Sequence, residues 1–118
     1  SAEKVKRVLL CSGKVYFDLS DKQIAENRED IAVIRMEQLH PLPQKQLQAV
    51  YQKYKSAQWL WVQEEPRNMG AASYLKMNLS GINLGYLTRQ ASAATSTGFA
   101  KKHLQEQKML VDEAFTVS

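Results

Sequence analysis

Cysteine occurs once in this 118-residue chain, histidine twice, proline three times and glycine five times. These scarcities exclude a good deal. A lone Cys11 can close no internal disulfide and form no CxxC metal or redox pair, a usage that suits a reducing compartment. The five glycines never fall into GxGxxG or GxxxxGK[ST], so neither a dinucleotide fingerprint nor a P-loop is present. His40 and His103 lie near no second ligand type at metal spacing, and there is no GxSxG elbow. No apolar run approaches the roughly 18 residues of a membrane span, so no membrane role is expected. Nor does charge of one sign dominate. Sixteen basic and twelve acidic side chains leave a net +4, and the densest basic group, Lys4, Lys6 and Arg7, flanks an apolar run. A nucleic-acid partner is therefore not expected either.

What is present describes an ordinary folded unit. Apolar residues make up 44% and charged residues 24%, as in a globular domain. A chain of this length buries roughly two-thirds of its unfolded surface, so residues 1–118 are expected to form a single domain. The chain opens on Ser1-Ala2 without methionine and without a secretory n-region or h-region. It reads as a piece of a larger multidomain protein.

Val8-Leu9-Leu10-Cys11 is a continuous apolar run closed by Ser12-Gly13, the pattern of a strand buried on both faces turning into a helix. Lys14 to about Arg28 reads as that helix, with Val15, Leu19 and Ile24 toward the core. Ile31 to Met36 is a second buried strand. Pro41-Leu42-Pro43 stops its extension, and Pro43 suits the first position of a new helix. There Leu47, Val50, Tyr51 and Tyr54 fall at i, i+3, i+4 and i+7. Trp59-Leu60-Trp61-Val62 forms a third strand, which Glu64-Glu65-Pro66 ends. A third helix follows from about Met69 to Leu79, then a turn at Ser80-Gly81, then a strand from Leu84 to Thr88 weakened by Gly85. Ala91 to Gly98 has small side chains and no period, hence a loop. A last helix from about Phe99 to Phe115 places Leu104, Val111 and Phe115 on one side. Lys101 and Lys102 occupy its first turn, the unfavourable end for cations. The alternation predicts an α/β fold: a three-layer αβα sandwich on a mostly parallel sheet of four to five strands.

Four segments resemble one family in order and spacing. Arg35-Met36-Glu37-Gln38-Leu39-His40-Pro41-Leu42-Pro43 is similar to the R-[IML]-E-Q-L-x-P-x-P run of 2-oxoglutarate dehydrogenase decarboxylating subunits. Cys11-Ser12-Gly13-Lys14-Val15-Tyr16 resembles the family's C-S-G-K-x-Y after the first strand. The run from Trp61 through Gln63, Glu64, Glu65, Pro66, Asn68 and Gly70 to Ala71 resembles W-x-Q-E-E-P-x-N-x-G-A. The stretch from Arg89 through Ser92 to Gly98 resembles the R-P-A-S-A-x-P-A-x-G loop, although Gln90 and Thr95 stand where the family has prolines. The motif residues carry structural roles on this reading, with none of them catalytic.

The resemblance implies the C-terminal, transketolase-C-terminal-like domain of a larger homodimeric enzyme. Thiamine diphosphate and Mg2+ lie between two preceding domains in that family, the first carrying GDG followed downstream by NN. This sequence contains neither GD nor NN. The fragment is therefore expected to bind no cofactor or metal and to catalyse nothing alone. The intact enzyme would oxidatively decarboxylate 2-oxoglutarate in the tricarboxylic acid cycle and succinylate a lipoyl group. Its partners would be dihydrolipoyl succinyltransferase and dihydrolipoyl dehydrogenase, in bacterial cytoplasm or a eukaryote's mitochondrial matrix. Within it, this domain would contribute packing and dimer surface. Alternatives are a docking module for the acyltransferase core, or the same domain of a 2-oxoadipate dehydrogenase or 2-oxoglutarate decarboxylase.

Individual residues admit bland and sharp readings. Glu64 and Glu65, consecutive in a strand, point to opposite faces. They read as strand-end structural groups, accepting backbone donors or pairing Arg67, or else as an active-site-facing contact. Arg35 and Glu37 share a face and read as an ion pair. Cys11 is most simply a small buried hydrophobe, and Trp59 and Trp61 pack on one face of their strand. The start of the second helix, beside Gln38, His40 and Lys45, offers free N–H groups. It is either a plain solvated helix start or a site for the anionic group of a regulatory nucleotide or acyl-CoA, since the family responds to such effectors.

Overall fold

The computed structural model describes residues 2–89 and 99–117. After a single 3-10 turn at Ala2–Lys4, four strands alternate with four helices: β1 (Arg7–Cys11), α1 (Val15–Ala25), β2 (Ile31–Arg35), α2 (Gln44–Lys53), β3 (Gln58–Pro66), α3 (Ala72–Asn78), β4 (Leu84–Arg89) and α4 (Phe99–Ala114). The strands form one parallel sheet in the order β2-β1-β3-β4. Helices cover both of its faces, giving the expected three-layer sandwich.

Period-two alternation explains the two cores. Leu9, Cys11 and Val62 point to the side covered by α1 and α4, where they meet Val15, Leu19, Leu110, Val111, Ala114 and Phe115. Val8, Leu10, Trp59 and Trp61 point to the other side, against Leu47 of α2 and Ala72 and Leu75 of α3. Every residue of β1 is buried, as a central strand between two covered faces requires. The α2 stripe behaves as its spacing predicts, with Val50, Tyr51 and Tyr54 packed around that second core. Pro43 caps α2 one position before the helix begins, and its carbonyl accepts the Leu47 N–H at 3.0 Å.

Four expectations need correction. Ile24 is 74% exposed. Nine residues beyond Val15, at roughly 100° per residue, it stands half a turn round the helix, on the solvent side. Leu104 shares the Val111 face, yet it too is exposed. It lines a shallow surface groove shared mainly with charged and polar side chains, among them Asp18, Asp21 and Gln107, and so stays open to solvent. The Glu64-Glu65-Pro66 segment lies within β3, as its last three residues, rather than beyond it. Pro66 still pairs with Arg89 beyond a register shift after Val62. Finally, Gly85 is not a weak point. It lies opposite Leu60, and an added Cβ would come within 2.8 Å of Leu60 Cδ2. Glycine leaves the Leu60 side chain its place there.

The far end of α4 is held by two arginines. Arg7, 8% exposed, donates through NH1 to the carbonyls of Glu113 and Ala114 at 3.1 and 3.0 Å, and through Nε and NH2 to Gln58 Oε1 at 3.0 and 2.8 Å. Arg28 donates to the Phe115 carbonyl at 2.8 Å and grips Asp30 through two nitrogens at 2.9 and 3.0 Å. Helix-end carbonyls lacking intrahelical partners are thereby satisfied, at the dipole end that favours cations. Lys22 adds a bridge between α1 and α4, 2.7 Å from Glu26 and 3.1 Å from Asp112.

Candidate functional site

Strand order locates the candidate site. The chain leaves β1 toward β2 on one side, then crosses back to β3 on the other, so connections diverge between the carboxyl ends of β1 and β3. Such a switch point opens a crevice in a parallel α/β sheet. Here it is a cleft of about 490 Å³. Ser12, Gly13, Lys14 and Val15 line it from the β1–α1 turn, and Leu39 and His40 from the segment before α2. Trp61, Gln63, Glu64 and Glu65 contribute from β3, and Gly70, Ala71 and Tyr74 from the start of α3.

The floor is built around one buried amide. Gln63, 3% exposed, accepts the Trp61 indole N–H and the Ala72 backbone N–H through Oε1, both at 2.9 Å. Its Nε2 donates to the carbonyls of Met69 at 2.7 Å, Pro66 at 2.9 Å and Glu65 at 3.2 Å. A single side chain thus ties β3 to the loop that follows it and to the first residue of α3. Gly70 lies within the same knot at φ +67°, and a Cβ there would sit 3.1–3.2 Å from Glu65 Oε1 and the Gln63 amide. Both the left-handed backbone and the lack of room call for glycine.

Glu64 turns toward the α4 side, and its partner is not Arg67. Gln107 Nε2 donates to Glu64 Oε1 at 2.8 Å and to Asp18 Oδ2 at 2.7 Å. Gln107 Oε1 in turn accepts from Arg89 NH2, and Arg89 NH1 lies 2.8 Å from His103 Nδ1. Because a guanidinium only donates, that imidazole nitrogen accepts. Glu65 is exposed beside the cleft. His40 packs its ring on Tyr74 with centroids 4.2 Å apart.

The motif residues divide clearly. Ser12, Gly13, Lys14, His40, Gln63, Glu64, Glu65 and Gly70, drawn from three separate sequence segments, meet at the one cleft. Arg35 and Glu37 form the expected pair at 3.7 Å, with the guanidinium also over the rings of Tyr16 and Phe17 at 5.5 and 5.2 Å. Gln38 spends its amide on the His40 carbonyl at 3.0 Å. Pro41 follows a cis peptide. Asn68 is exposed in the loop after β3, and Lys45 is exposed on α2 and does not line the cleft. Of the three residues proposed for an anionic effector, only His40 borders it. Ser92 and Gly98 lie outside the described residues. Sequence reasoning passed over Tyr74 and Gln107, neither of which sits in a recognisable motif.

No hydrogen bond joins Ser12 to His40, or His40 to either glutamate, among the described residues. Burial pushes the Cys11 thiol up to about 12, against the weaker opposing pull of Arg35, so it stays a protonated, unreactive core group. Among the described residues no three His, Cys, Asp or Glu side chains group as metal ligands.

The family model described as 2-oxoglutarate dehydrogenase C-terminal matches residues 1–115. The chain belongs to that family. It is 46% identical, over 98% of its length, to the 2-oxoglutarate dehydrogenase E1 component of Azotobacter vinelandii, and 45% identical over 98% to that of Cupriavidus necator. It is also 42% identical, over 95%, to the multifunctional 2-oxoglutarate metabolism enzyme of Mycolicibacterium vanbaalenii. The chain spans only 13%, 13% and 10% of these relatives' lengths. In 2-oxoglutarate dehydrogenase terms, it corresponds to the C-terminal domain.

Proposed function

We propose that this domain completes a thiamine-diphosphate-dependent 2-oxoglutarate dehydrogenase E1 subunit in the cytoplasm. That subunit oxidatively decarboxylates 2-oxoglutarate and delivers the succinyl group to a lipoyl group of its acyltransferase, as part of the tricarboxylic acid cycle. Support comes from one observation above all: the match to the 2-oxoglutarate dehydrogenase C-terminal family runs over nearly the whole chain. Thiamine diphosphate and Mg2+ supply the decarboxylation chemistry when bound in such an enzyme. The described side chains present no metal-ligand group, so no step of that chemistry is assigned to them.

The domain's own contribution is mechanical. Phe17, Ile24, Met77, Leu104 and Met109 remain largely exposed on the helices, apolar surface suited to packing against neighbouring domains and to supporting the dimer. An effector response belongs to the same reading, with His40 the residue through which occupation of the cleft would be felt. The test is to delete the segment corresponding to residues 1–118 from an intact E1 subunit and measure sedimentation and carbon dioxide release from 2-oxoglutarate. Loss of both is expected. A truncated subunit that remained dimeric and active would refute the reading.

A further inference from the structure

The cleft between the ends of β1 and β3, we infer, is a binding site for a small amino-acid zwitterion, with the ammonium group against Glu65 and the carboxylate toward Lys14. Its volume of about 490 Å³ accommodates such a molecule. The floor is already organised, because Trp61 is buried and every polar atom of the Gln63 amide has a partner.

The rim is the opposite. Among the described residues, the Ser12 hydroxyl, the Lys14 ammonium, the His40 ring nitrogens, the Glu65 carboxylate and the Tyr74 hydroxyl make no hydrogen bond or ion pair, although all five residues line one cavity. Charges left unpaired around a concavity, rather than spread over a convex face, mark a place where a ligand can supply the missing partners.

Sign decides the class of ligand. One lysine faces two glutamates, so a polyanion such as a nucleoside diphosphate would meet more repulsion than attraction. A purely apolar guest would strip water from three charges without replacing it. A molecule carrying both an ammonium and a carboxylate satisfies both walls. Its cationic end also finds the aromatic rings of the Tyr74–His40 pair on the lining. This inference concerns the cleft alone and is tested without turnover, so its failure would leave the dimer-supporting role in an E1 subunit untouched.

The test uses the 118-residue chain labelled with 15N, following the Trp61 indole and the Ser12, Lys14 and Glu65 amides by NMR. The probes are glycine, β-alanine and γ-aminobutyrate, with propionate and propylamine as single-charge controls and AMP as the polyanion. At least one amino acid should bind about tenfold more tightly than either control, the contribution of one charge-assisted contact. Lys14→Gln and Glu65→Gln, both at exposed positions, should each weaken it about tenfold while the rest of the spectrum stays native. Three results would overturn the inference: no amino acid shifting these resonances, the single-charge controls binding equally well, or AMP displacing the amino acids from first place.

Discussion

Replacing Gln63 by leucine tests the organisation of the cleft floor. The substitution roughly preserves volume and removes every polar contact of the side chain. The Trp61 indole N–H and the Ala72 backbone N–H both lose their 2.9 Å acceptor in a buried setting. Each stranded donor costs about 1–3 kcal/mol. The carbonyls of Glu65 and Pro66, at the end of β3, and of Met69, in the loop after it, are only partly buried and can turn to water, so they add little. The loss should therefore be about 2–6 kcal/mol, a large fraction of the stability of a small domain. Urea titration followed by tryptophan fluorescence reads it directly. The midpoint should fall while the slope stays constant, because the surface exposed on unfolding is unchanged. On heating, the midpoint should drop by roughly 4 °C or more per kcal/mol. Gln46→Leu, at an exposed position of α2, should stay within about 0.5 kcal/mol of the parent. If Gln63→Leu matched that control, the buried amide would not be what holds the loop.

Two further outcomes follow from the packing and the ion pairs. Gly85→Ala drives a methyl to within 2.8 Å of Leu60 Cδ2 and should cost about 1–3 kcal/mol; adding Leu60→Ala should recover part of that loss in a double-mutant cycle, and strict additivity would contradict the steric explanation. Lys22, Arg28 and Lys108 hold the carboxyls of Asp30, Glu26 and Asp112 below the usual carboxylate range, chiefly through side-chain hydrogen bonds from Arg28 to Asp30 and from Lys22 to the other two. A lowered folded-state pKa means the unfolded chain binds protons first, so this stabilisation is complete above roughly pH 4–5 and disappears as pH falls through the folded values. Urea midpoints should decline below that range. Asp30→Asn should be less stable at neutral pH but lose less on acidification, and an unaltered acid slope would remove Asp30 from the explanation.

Elements were legible where one physical rule acted alone. The all-apolar Val8–Cys11 run could only be a doubly covered strand, and the α2 stripe could only face a core. Ile24 and Leu104 were misplaced for different reasons. Ile24 contradicts helical geometry when measured from Val15. Leu104 obeys the geometry, but what lies opposite it is set by α1, a segment more than eighty positions away in the chain. Likewise Arg7 reads as one of three scattered cations, yet it is buried on the carbonyls that end α4, a contact no local pattern encodes.

By itself, the sequence determined the layer architecture and the family, because both rest on short-range signals: apolar periodicity within elements, and motif residues at fixed spacing. Only the tertiary structure decided that Ser12, Lys14, His40, Gln63, Glu64 and Tyr74 share a cleft, and that Gln107 rather than Arg67 meets Glu64. The physical reason is the crossover from β2 over β1 to β3, which brings together ends of strands that are far apart along the chain.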